Sequence, residues 1–363
     1  IATGPCGTER GGCNFNGTIN NYASSTARTR QIYSLAKHPT KDIIFAGDLQ
    51  RCQVMAFNAS GSSDSFMGIT VPNNQMRKLT AAYACGATPG AANSTASRLN
   101  PYGMSVKVSG STFEGLYIAN QTQHSVFFLN FTAGNITIGG KTIASNSHDR
   151  VIGTGLAEYA RAKPAFQNSL LSSPRGVSEV TYSKVDPSDG FTKDYKALAI
   201  SDITNGRIAY LETDKTYLGS TTAITNGDVG DMVGYQLPYG YDGEIDVPAN
   251  EQRFYNPASM EFNPNTNELL VVDSLNYRIR AINLSTGQIR TKIGSGVTAT
   301  TTGGDPRLSV RFRIPRDLAV MRNRNAVVYA ENQSAGALRS CYLRVLNEGL
   351  TTDTFFSVPV ASN

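Results

Sequence analysis

The sequence has 363 residues, of which 40% are hydrophobic and 17% are charged. This composition is typical of a foldable globular protein and excludes a disordered one, and the length suits two ordinary domains or one large all-β domain. No apolar run approaches the roughly 18 residues that a membrane-spanning helix needs.

The amino-terminal segment, residues 1–28, shows no strand pattern as clear as those further along, and we predict that it supplies a closure strand. The chain begins at Ile1 without a methionine, which predicts a processed form or a fragment from which any export signal has gone.

Cys6 and Cys13 bracket a Gly-rich loop and are predicted to form a disulfide. The five cysteines leave at least one thiol over, for which we take Cys341. This cysteine usage favours an oxidising compartment.

Two polar turns with the same spelling, D-x-x-N-x-R-I, begin at Asp202 and Asp273. Each follows an apolar strand and leads into another one. Further copies of the unit occur at 99–131, where Asn120 takes the place of the aspartate, at 312–333, and more weakly at 32–58, around Asp48. Most copies open with a proline, and small residues connect one copy to the next. Self-similarity at a spacing of roughly 60–80 residues is the signature of a repeat architecture.

Each copy contains about four strand-length segments. A meander of short antiparallel strands cannot bury both of its faces alone, but radial repetition covers them. The sequence therefore predicts an all-β fold, a β-propeller of four-stranded antiparallel blades, with five blades favoured over six. The propeller is expected to occupy residues 29–363, with blades at about 29–87, 99–153, 170–224, 254–296 and 312–360. Residues 181–194 and 214–238 interrupt the pattern as insertions, and 351–360 reads as the last fourth strand.

The pattern P-x-x-strand-V-V-D-S-x-N-x-R-I-R followed by I-G-S-G resembles the NHL repeat. The resemblance is close at 253–296 and good at 166–213, and it weakens towards the first copy. It implies a propeller of usually five to seven blades. Some members of that family bind RNA, and metal-dependent lyases of this kind hold His, Asp or Glu ligands around the axis.

The repeated polar turn is predicted to be framework. The carboxylate of Asp273 is expected to accept backbone N–H bonds within its own turn, and Asn276 to adopt the left-handed conformation. Arg278 is expected to reach a carboxylate or free carbonyls. The equivalent residues Asp202, Asn205 and Arg207 are expected to do the same. In the first blade, Cys52 and Cys85 fall on neighbouring antiparallel strands and are predicted to form a second disulfide.

Little in the sequence indicates catalysis. We assign no catalytic residue and no cofactor, and the histidines occupy different places in different copies. Glu179 and Glu261 are weak candidates for a channel-facing metal site, where Ca²⁺ is possible because it prefers carboxylate oxygens.

Residues 306–346 concentrate the positive charge. The segment holds eight arginines and two acidic residues, whereas the whole chain has a net charge of +5. Such a zone attracts acidic proteins, acidic glycans or nucleic acid, but aromatic residues are not interleaved in a nucleic-acid pattern. We predict a partner-binding basic face composed of Arg311, Arg313, Arg316, Arg322 and Arg324. A Tyr-rich insertion, with Tyr235, Tyr239 and Tyr241, is the second predicted contact zone.

These observations favour a non-catalytic binding or assembly scaffold for protein or glycan partners, exported to an extracellular, periplasmic or cell-surface location. One alternative is a metal-dependent propeller enzyme of the lyase or lactonase type, with Glu179 and Glu261 holding the ion. The other is binding of RNA or an acidic polymer through the basic carboxy-terminal blade.

Overall fold

The structure is a computed structural model of the chain. It describes residues 22–23, 32–49, 51–80, 90–91, 99–138, 140–157, 171–185, 189–212, 229–234, 252–299, 306–335, 338–349, 353–355 and 358–360. Their strands form successive antiparallel sheets, the blades of a five-bladed β-propeller, as the repeat predicts. Among the described residues no helix has the length and apolar character to cross a membrane. The chain divides into two compact units, residues 1–160 with 164–177, and residues 161–163 with 178–363.

Blades one and two belong to the first unit. Blade one has the strand order β1-β7-β4-β3-β2 and blade two the order β8-β14-β11-β10-β9, and each carries a separate two-stranded hairpin, β5-β6 or β12-β13. The strands are β1 (Tyr22–Ala23), β2 (Ile32–Lys37), β3 (Ile43–Asp48), β4 (Gln53–Asn58), β5 (Asp64–Phe66), β6 (Ile69–Val71), β7 (Gln75–Lys78), β8 (Gly90–Ala91), β9 (Pro101–Ser109), β10 (Thr112–Asn120), β11 (Ser125–Asn130), β12 (Ile136–Ile138), β13 (Lys141–Ile143) and β14 (Ser147–Ile152).

Blade three begins where the first unit ends, and blades four and five lie in the second unit. The strands are β15 (Pro174–Val185), β16 (Thr192–Asp202), β17 (Arg207–Glu212), β18 (Val229–Val233), β19 (Pro257–Asn263), β20 (Glu268–Asp273), β21 (Arg278–Asn283), β22 (Ile289–Ile293), β23 (Pro315–Met321), β24 (Ala326–Ala335), β25 (Leu338–Asn347), β26 (Asp353–Phe355) and β27 (Val358–Val360). Strands β15–β18 and β19–β22 form four-stranded sheets in chain order, and β23–β25 form a three-stranded one.

Several predicted boundaries need correction. The predicted insertion at 181–194 is largely strand, because β15 and β16 extend through most of it, and blade three ends at β18, beyond the predicted 224. The segment 351–360 does not act as one fourth strand, because β26 and β27 pair with each other. The closure strand predicted in 1–28 is represented by β1, which pairs with β7 of blade one itself. The rest of that segment lies outside the described residues.

The middle strands of the blades are buried on both faces. Every residue of β11 and of β20 is buried, which explains why these strands are almost continuously apolar. Within the first unit one core joins blades one and two, around Phe45, Leu116 and Phe127. Within the second unit a core around Tyr210 and Phe262 joins blades three and four, and another around Val272 and Phe312 joins blades four and five.

One register is common to four blades. The residue that opens the first strand pairs with a residue of the second strand, which is the last one of that strand in blades one, two and four, and a β-bulge follows immediately. The pairs are Ile32 with Asp48, Pro101 with Asn120, Pro257 with Asp273, and Pro315 with Glu331. Proline suits this place because an opening residue on an edge strand need not donate a ladder hydrogen bond. We call the second member of each pair the acid position of its blade, and the first strand of each blade its opening strand.

Candidate functional site

The acid position of blade four holds a fully buried ion-pair site. Asp273 accepts the Tyr255 backbone N–H at 2.8 Å through Oδ1 and the Asn276 amide at 2.8 Å through Oδ2. The Arg280 guanidinium lies 3.6 Å from Oδ2, and neither charged side chain is exposed. Burial raises the pKa of Asp273 to about 6, against the opposing effects of Arg280, Asn276 and the Tyr255 amide. The carboxylate therefore connects three segments of the blade.

Blade three builds the same kind of site with a different arginine. The Asp202 carboxylate accepts hydrogen bonds from the Asn205 amide and from Arg207 Nε, both at 2.8 Å through Oδ2. Arg207 is 1% exposed and Asp202 is fully buried. Arg207 is the residue opposite the aspartate in the strand register, whereas Arg280 of blade four stands opposite Val271, two residues further along. Both blades therefore have a buried aspartate–arginine pair, but the arginine occupies a different register position in each.

Blade five completes the set with a longer acid. Glu331 accepts the Arg313 backbone N–H at 3.3 Å and Arg344 Nε at 2.6 Å. Arg344 stands opposite Tyr329, the same register position that Arg280 occupies in blade four. Sequence reasoning missed Glu331, Arg280 and Arg344, because the repeated spelling places an aspartate first and an arginine five residues later. The strand register is the signal that identifies them.

The predicted turn residues make buried contacts in the structure, but two of the predicted roles were wrong. Their assignment as framework remains a prediction. The left-handed residue is not Asn276 but the next one, Tyr277, with φ of 53°, and in blade three it is Gly206 with φ of 62°. Asn276 and Asn205 instead donate to the aspartate three residues earlier, which holds the turn closed. Asp273 also takes its N–H from Tyr255, outside its own turn. A hydrogen bond within the turn is found in blade one, where Asp48 accepts the Arg51 N–H at 3.3 Å.

Arg278 contacts carbonyl groups, one of the two alternatives that the sequence left open. Its guanidinium donates to the Asn276 carbonyl at 2.9 Å and to the Ser295 carbonyl at 3.1 Å. Ser295 follows the fourth strand of the blade, so this arginine attaches the connector to the turn. The G-S-G spelling there has a physical reason, because Gly294 and Gly296 have φ of 107° and 78°.

The candidate metal ligand Glu261 is engaged with backbone. Its Oε2 accepts the N–H of Val320, in the opening strand of blade five, at 3.0 Å. Ser178 of blade three makes the equivalent contact with blade four, because its Oγ accepts the backbone N–H of Phe262 at 3.2 Å. Phe262 and Val320 hold equivalent register positions. Burial raises the pKa of Glu261 to about 7. These side chains therefore satisfy edge N–H groups that the sheet leaves unpaired.

Glu179, the other candidate ligand, is half-buried in β15 and has interactions of its own. Within the part of the chain that the structure describes, no group of three or more His, Cys, Asp or Glu side chains is placed to hold a metal ion. Among the described residues, no His, Cys, Asp or Glu side chain therefore joins Glu179 and Glu261 as a third metal ligand, and a Ca²⁺ site remains a prediction.

The five arginines predicted to form one basic face divide between the two ends of β23. Arg311, Arg313 and Arg316 lie at the start of the strand, while Arg322 and Arg324 lie in the 3₁₀ turn that follows it. A seven-residue strand separates its ends by about 20 Å, so the five arginines do not form one compact cluster, and their role in binding a partner remains a prediction. Arg311, Arg322 and Arg324 are exposed, and the other two are half-buried.

Other predicted residues lie outside the described residues. These are the tyrosines Tyr235, Tyr239 and Tyr241, the pair Cys6 and Cys13, and Cys85. Cys341 lies in β25, where it stands opposite Asn332. Cys52 is fully buried and stands just ahead of β4, not within the third strand. Both disulfides remain predictions.

An asparagine at the end of the third strand is a further repeated feature that the sequence analysis missed. Asn58 and Asn130 accept the backbone N–H of the second residue beyond them, and each donates through Nδ2 to a carbonyl of the inserted hairpin, that of Val71 or Ile143. The two asparagines, and the two hairpins, stand 72 residues apart in the chain. We call this contact the amide clamp.

Comparison with known proteins finds no matching family model and no matching curated protein. Solved structures do match. An auxiliary nutrient binding protein from Bacteroides ovatus has a TM-score of 0.46 at 11% identity, over 88% of this chain and 60% of its own. Another, from Bacteroides thetaiotaomicron, has a TM-score of 0.42 at 14% identity, over 86% and 69%. A structure described as a putative gluconolactonase has a TM-score of 0.40 at 12% identity, over 88% and 78%.

This chain spans 60% and 69% of the length of the two nutrient-binding proteins. With identities of 11–14% and TM-scores below 0.5, these similarities carry no information about activity.

Proposed function

We propose that this chain is a non-catalytic propeller that serves as a rigid binding or assembly scaffold for protein or glycan partners. The observation that supports the proposal most is the use of the buried acids. In blades three, four and five a buried acid is paired with an arginine, as in Asp202 with Arg207 and Glu331 with Arg344. These charges hold strands and connectors together, which suits a scaffold whose interior must stay fixed.

The proposed contact surface is the exposed charge of blade five. Arg311 before β23, and Arg322 and Arg324 after it, present guanidinium groups to solvent. Exposed arginines bind carboxylates in a planar, bidentate geometry. Because the two groups lie at opposite ends of β23, each end is a separate candidate surface, and a partner needs only one of them.

We further propose an exported or surface location and a blade of the NHL type. The first rests on the predicted disulfides Cys6–Cys13 and Cys52–Cys85. The second rests on the D-x-x-N turn, in which Asn205 and Asn276 donate to Asp202 and Asp273 in the same way.

The surface is tested with two matched double variants on a glycan array and on a panel of acidic proteins. Arg311→Glu with Arg316→Glu reverses charge at the start of β23, and Arg322→Glu with Arg324→Glu reverses it at the end. We expect one double variant to lose the partner that the wild-type chain binds, and the other to keep it. Arg313 is left unchanged because its backbone N–H binds Glu331, so a carboxylate introduced at this position would stand close to a buried carboxylate. Equal binding by both variants and the wild type would exclude this surface.

The enzyme alternative has a separate test. Metal content of the purified chain and hydrolysis of a panel of aldonolactones, with and without added Ca²⁺, distinguish a scaffold from a lactonase. We expect no turnover above the uncatalysed rate. Turnover that is abolished by a chelator and by Glu179→Gln would overturn the proposal. Binding of random single-stranded RNA with a steep salt dependence would favour the RNA alternative.

A further inference from the structure

An exposed asparagine stands at the start of the inserted hairpin of blade two. Asn135 directly precedes β12, and it forms with Ile136 and Thr137 the sequence N-x-S/T, which is the acceptor pattern for N-linked glycans. Asn135 and Thr137 are both exposed. The pattern requires an accessible amide nitrogen and a hydroxyl group two residues later, and this hairpin presents both to solvent.

The pattern alone does not identify a site, because other copies of it have a structural use. Asn58 and Asn130 are the amide-clamp residues, and both are fully buried. The hydroxyl two residues later, that of Ser60 or Thr132, donates to the asparagine Oδ1 at 2.7 Å. These two copies of the pattern therefore close the turn that follows the third strand of their blades.

The copies at Asn120 and Asn283 are also part of the fold. Asn120 holds the acid position of blade two, is fully buried, and accepts the Thr122 hydroxyl at 3.3 Å. Asn283 is half-buried at the end of β21. The hydroxyl of its copy, Ser285 Oγ, donates to the Ser183 carbonyl at 3.0 Å and so connects blade four to β15. The structure does not describe the side chains of Asn16, Asn93 and Asn332, which belong to the remaining copies.

Asn135 differs from these copies in its surroundings. No hydrogen bond joins its side chain to another residue of the described ranges. The carbonyl of the preceding residue, Gly134, accepts hydrogen bonds from Asn130 Nδ2 at 2.9 Å and from Thr132 Oγ1 at 2.7 Å. A Cβ atom on Gly134 would meet no atom within 4 Å, so the space around this turn is open. The Asn135 amide therefore stands on a fixed backbone next to free volume.

We propose that Asn135 is the acceptor of an N-linked oligosaccharide. The donor is an oligosaccharide joined to a lipid through a diphosphate. Nδ2 of Asn135 forms a bond to the anomeric carbon and loses one proton, while the bond from that carbon to the diphosphate breaks and the lipid diphosphate leaves. No electron is transferred, so the step needs no oxidant or reductant. The inference rests on the proposed exported location, because exported chains are the ones that meet this donor.

Folding restricts which acceptors can carry a glycan in the finished protein. The Nδ2 atom of Asn130 donates to three hairpin carbonyls inside the blade, so a sugar on this nitrogen would displace them. A chain modified at Asn58, Asn120 or Asn130 could not close its blade, because a sugar is too bulky for a fully buried position. A sugar on Asn135 projects into solvent instead. The folded protein should therefore carry a glycan at Asn135 and none at the three buried asparagines.

The test is secretion of the full chain, behind a cleavable leader, from a eukaryotic host cell. Mass spectrometry of its peptides, before and after an amidase converts each glycosylated asparagine to aspartate, identifies every modified site. We expect Asn135 to be modified in most of the secreted molecules. Asn58, Asn120 and Asn130 should be unmodified in the same molecules.

Variants of the hairpin separate the acceptor from its surroundings. Asn135→Gln and Thr137→Ala should each abolish the modification, and Thr137→Ser should retain it because it keeps the hydroxyl. Thr142→Ala is the matched control, since Thr142 is the exposed cross-strand neighbour of Thr137 but lies outside the acceptor sequence. It should be modified to the same extent as the wild type.

A second measurement does not depend on secretion. Cell-free translation with endoplasmic-reticulum microsomes should give a wild-type product that carries one more glycan on a gel than Asn135→Gln does. Three results would each overturn the proposal: equal mobility of these two products, an unmodified Asn135 in the secreted chain, or a glycan on Asn130 in the folded protein. The exported location is tested separately, by locating the chain in its own host cells. A chain retained inside those cells would contradict the location and leave the acceptor result unchanged.

Discussion

Glu331 occupies in blade five the place that Asp273 occupies in blade four. Each carboxylate accepts the backbone N–H of the residue two positions before the opening proline of its blade, Arg313 in one case and Tyr255 in the other. Each is also paired with the arginine that stands opposite the residue two positions before it. The acid side chain is longer in blade five, yet it joins the strand and the connector that correspond to those of blade four.

The blade-four pair gives the first prediction. Arg280→Leu should lower the free energy of unfolding by about 3–5 kcal/mol at pH 8, because Asp273 is left as a buried charge without its counterion. The loss should be smaller at pH 5, where Asp273 can become neutral by binding a proton. Urea denaturation at both pH values measures this. The double variant Asp273→Leu with Arg280→Leu should recover most of the stability, since it removes both charges. A double variant as unstable as Arg280→Leu alone would show that packing, not charge, sets the cost.

The second prediction concerns Glu261, whose contribution to the free energy of unfolding should fall as the pH rises. Its pKa is raised from 4.5 to about 7 by burial, so the folded state binds a proton more tightly than the unfolded state does. Its contribution to stability is therefore full below pH 4.5 and is lost as the pH rises towards 7. The loss amounts to about 3 kcal/mol.

Glu261→Gln keeps an oxygen for the Val320 N–H and removes the titration. We expect the variant to equal the wild type near pH 4.5 and to exceed it by up to about 3 kcal/mol at pH 8, in urea denaturation. The control is Asp42→Asn, a surface carboxylate beside Lys37, which should change neither value by more than about 0.5 kcal/mol. A Glu261→Gln variant that loses stability at pH 8 would contradict this account.

His148 should make the first unit sensitive to acid. His148 lies in β14 and is 1% exposed, with its ring centroid 6.0 Å from that of Phe127. Neither of its ring nitrogens has a hydrogen-bond partner among the residues that the structure describes. Burial lowers its pKa to about 4, so protons bind more tightly to the unfolded state. Stability is then lost as the pH falls from 6.5 towards 4, by about 3 kcal/mol.

The measurement is imidazole NMR together with denaturation at pH 7 and pH 4.5. The His148 resonances should not titrate until the pH is below about 5, and His148→Leu should flatten the loss of stability with acid. A His148 that titrates near 6.5 would mean that the ring is solvated.

The amide clamp gives a matched comparison between two asparagines. Asn130 is buried, and its amide donates to three carbonyl groups. Asn130→Ala should therefore cost about 2–4 kcal/mol, since the hairpin carbonyls lose their donor. Asn283 holds the same place in blade four, but its oxygen accepts only the N–H groups of its own exposed turn, from Ser285 and Thr286. Asn283→Ala should cost less than about 1 kcal/mol. Equal costs for the two variants would mean that the hairpin contacts contribute nothing.

The sequence was sufficient for the repeat, the strand class and the blade count, because strand periodicity and opening prolines are local features. It also singled out Asp202 and Asp273, each of which the structure buries beside an arginine. It was not sufficient for the arginine partners. A sequence motif shows only which residues are neighbours along the chain. Arg280 and Arg344 contact Asp273 and Glu331 across a strand pair, and only the strand register determines which residues meet there.

The same limit explains the other differences. Tyr277 carries the positive φ although tyrosine has no special tolerance for it, because the hydrogen bonds on both sides of the turn fix the backbone. The predicted basic face divides into two groups because residues that are close along the chain can lie at opposite ends of a strand, as Arg316 and Arg322 do at the two ends of β23.

The inserted hairpins of blades one and two are transferable parts. Each leaves its blade directly after an amide-clamp asparagine and returns before the fourth strand, so it alters neither the strand ladder nor the acid position. Blade four already has the clamp residue, Asn283, and a short turn at 284–287. Grafting residues 131–146 in place of that turn should give a blade with a new surface loop and an unchanged frame, which would make this chain an acceptor for foreign recognition segments.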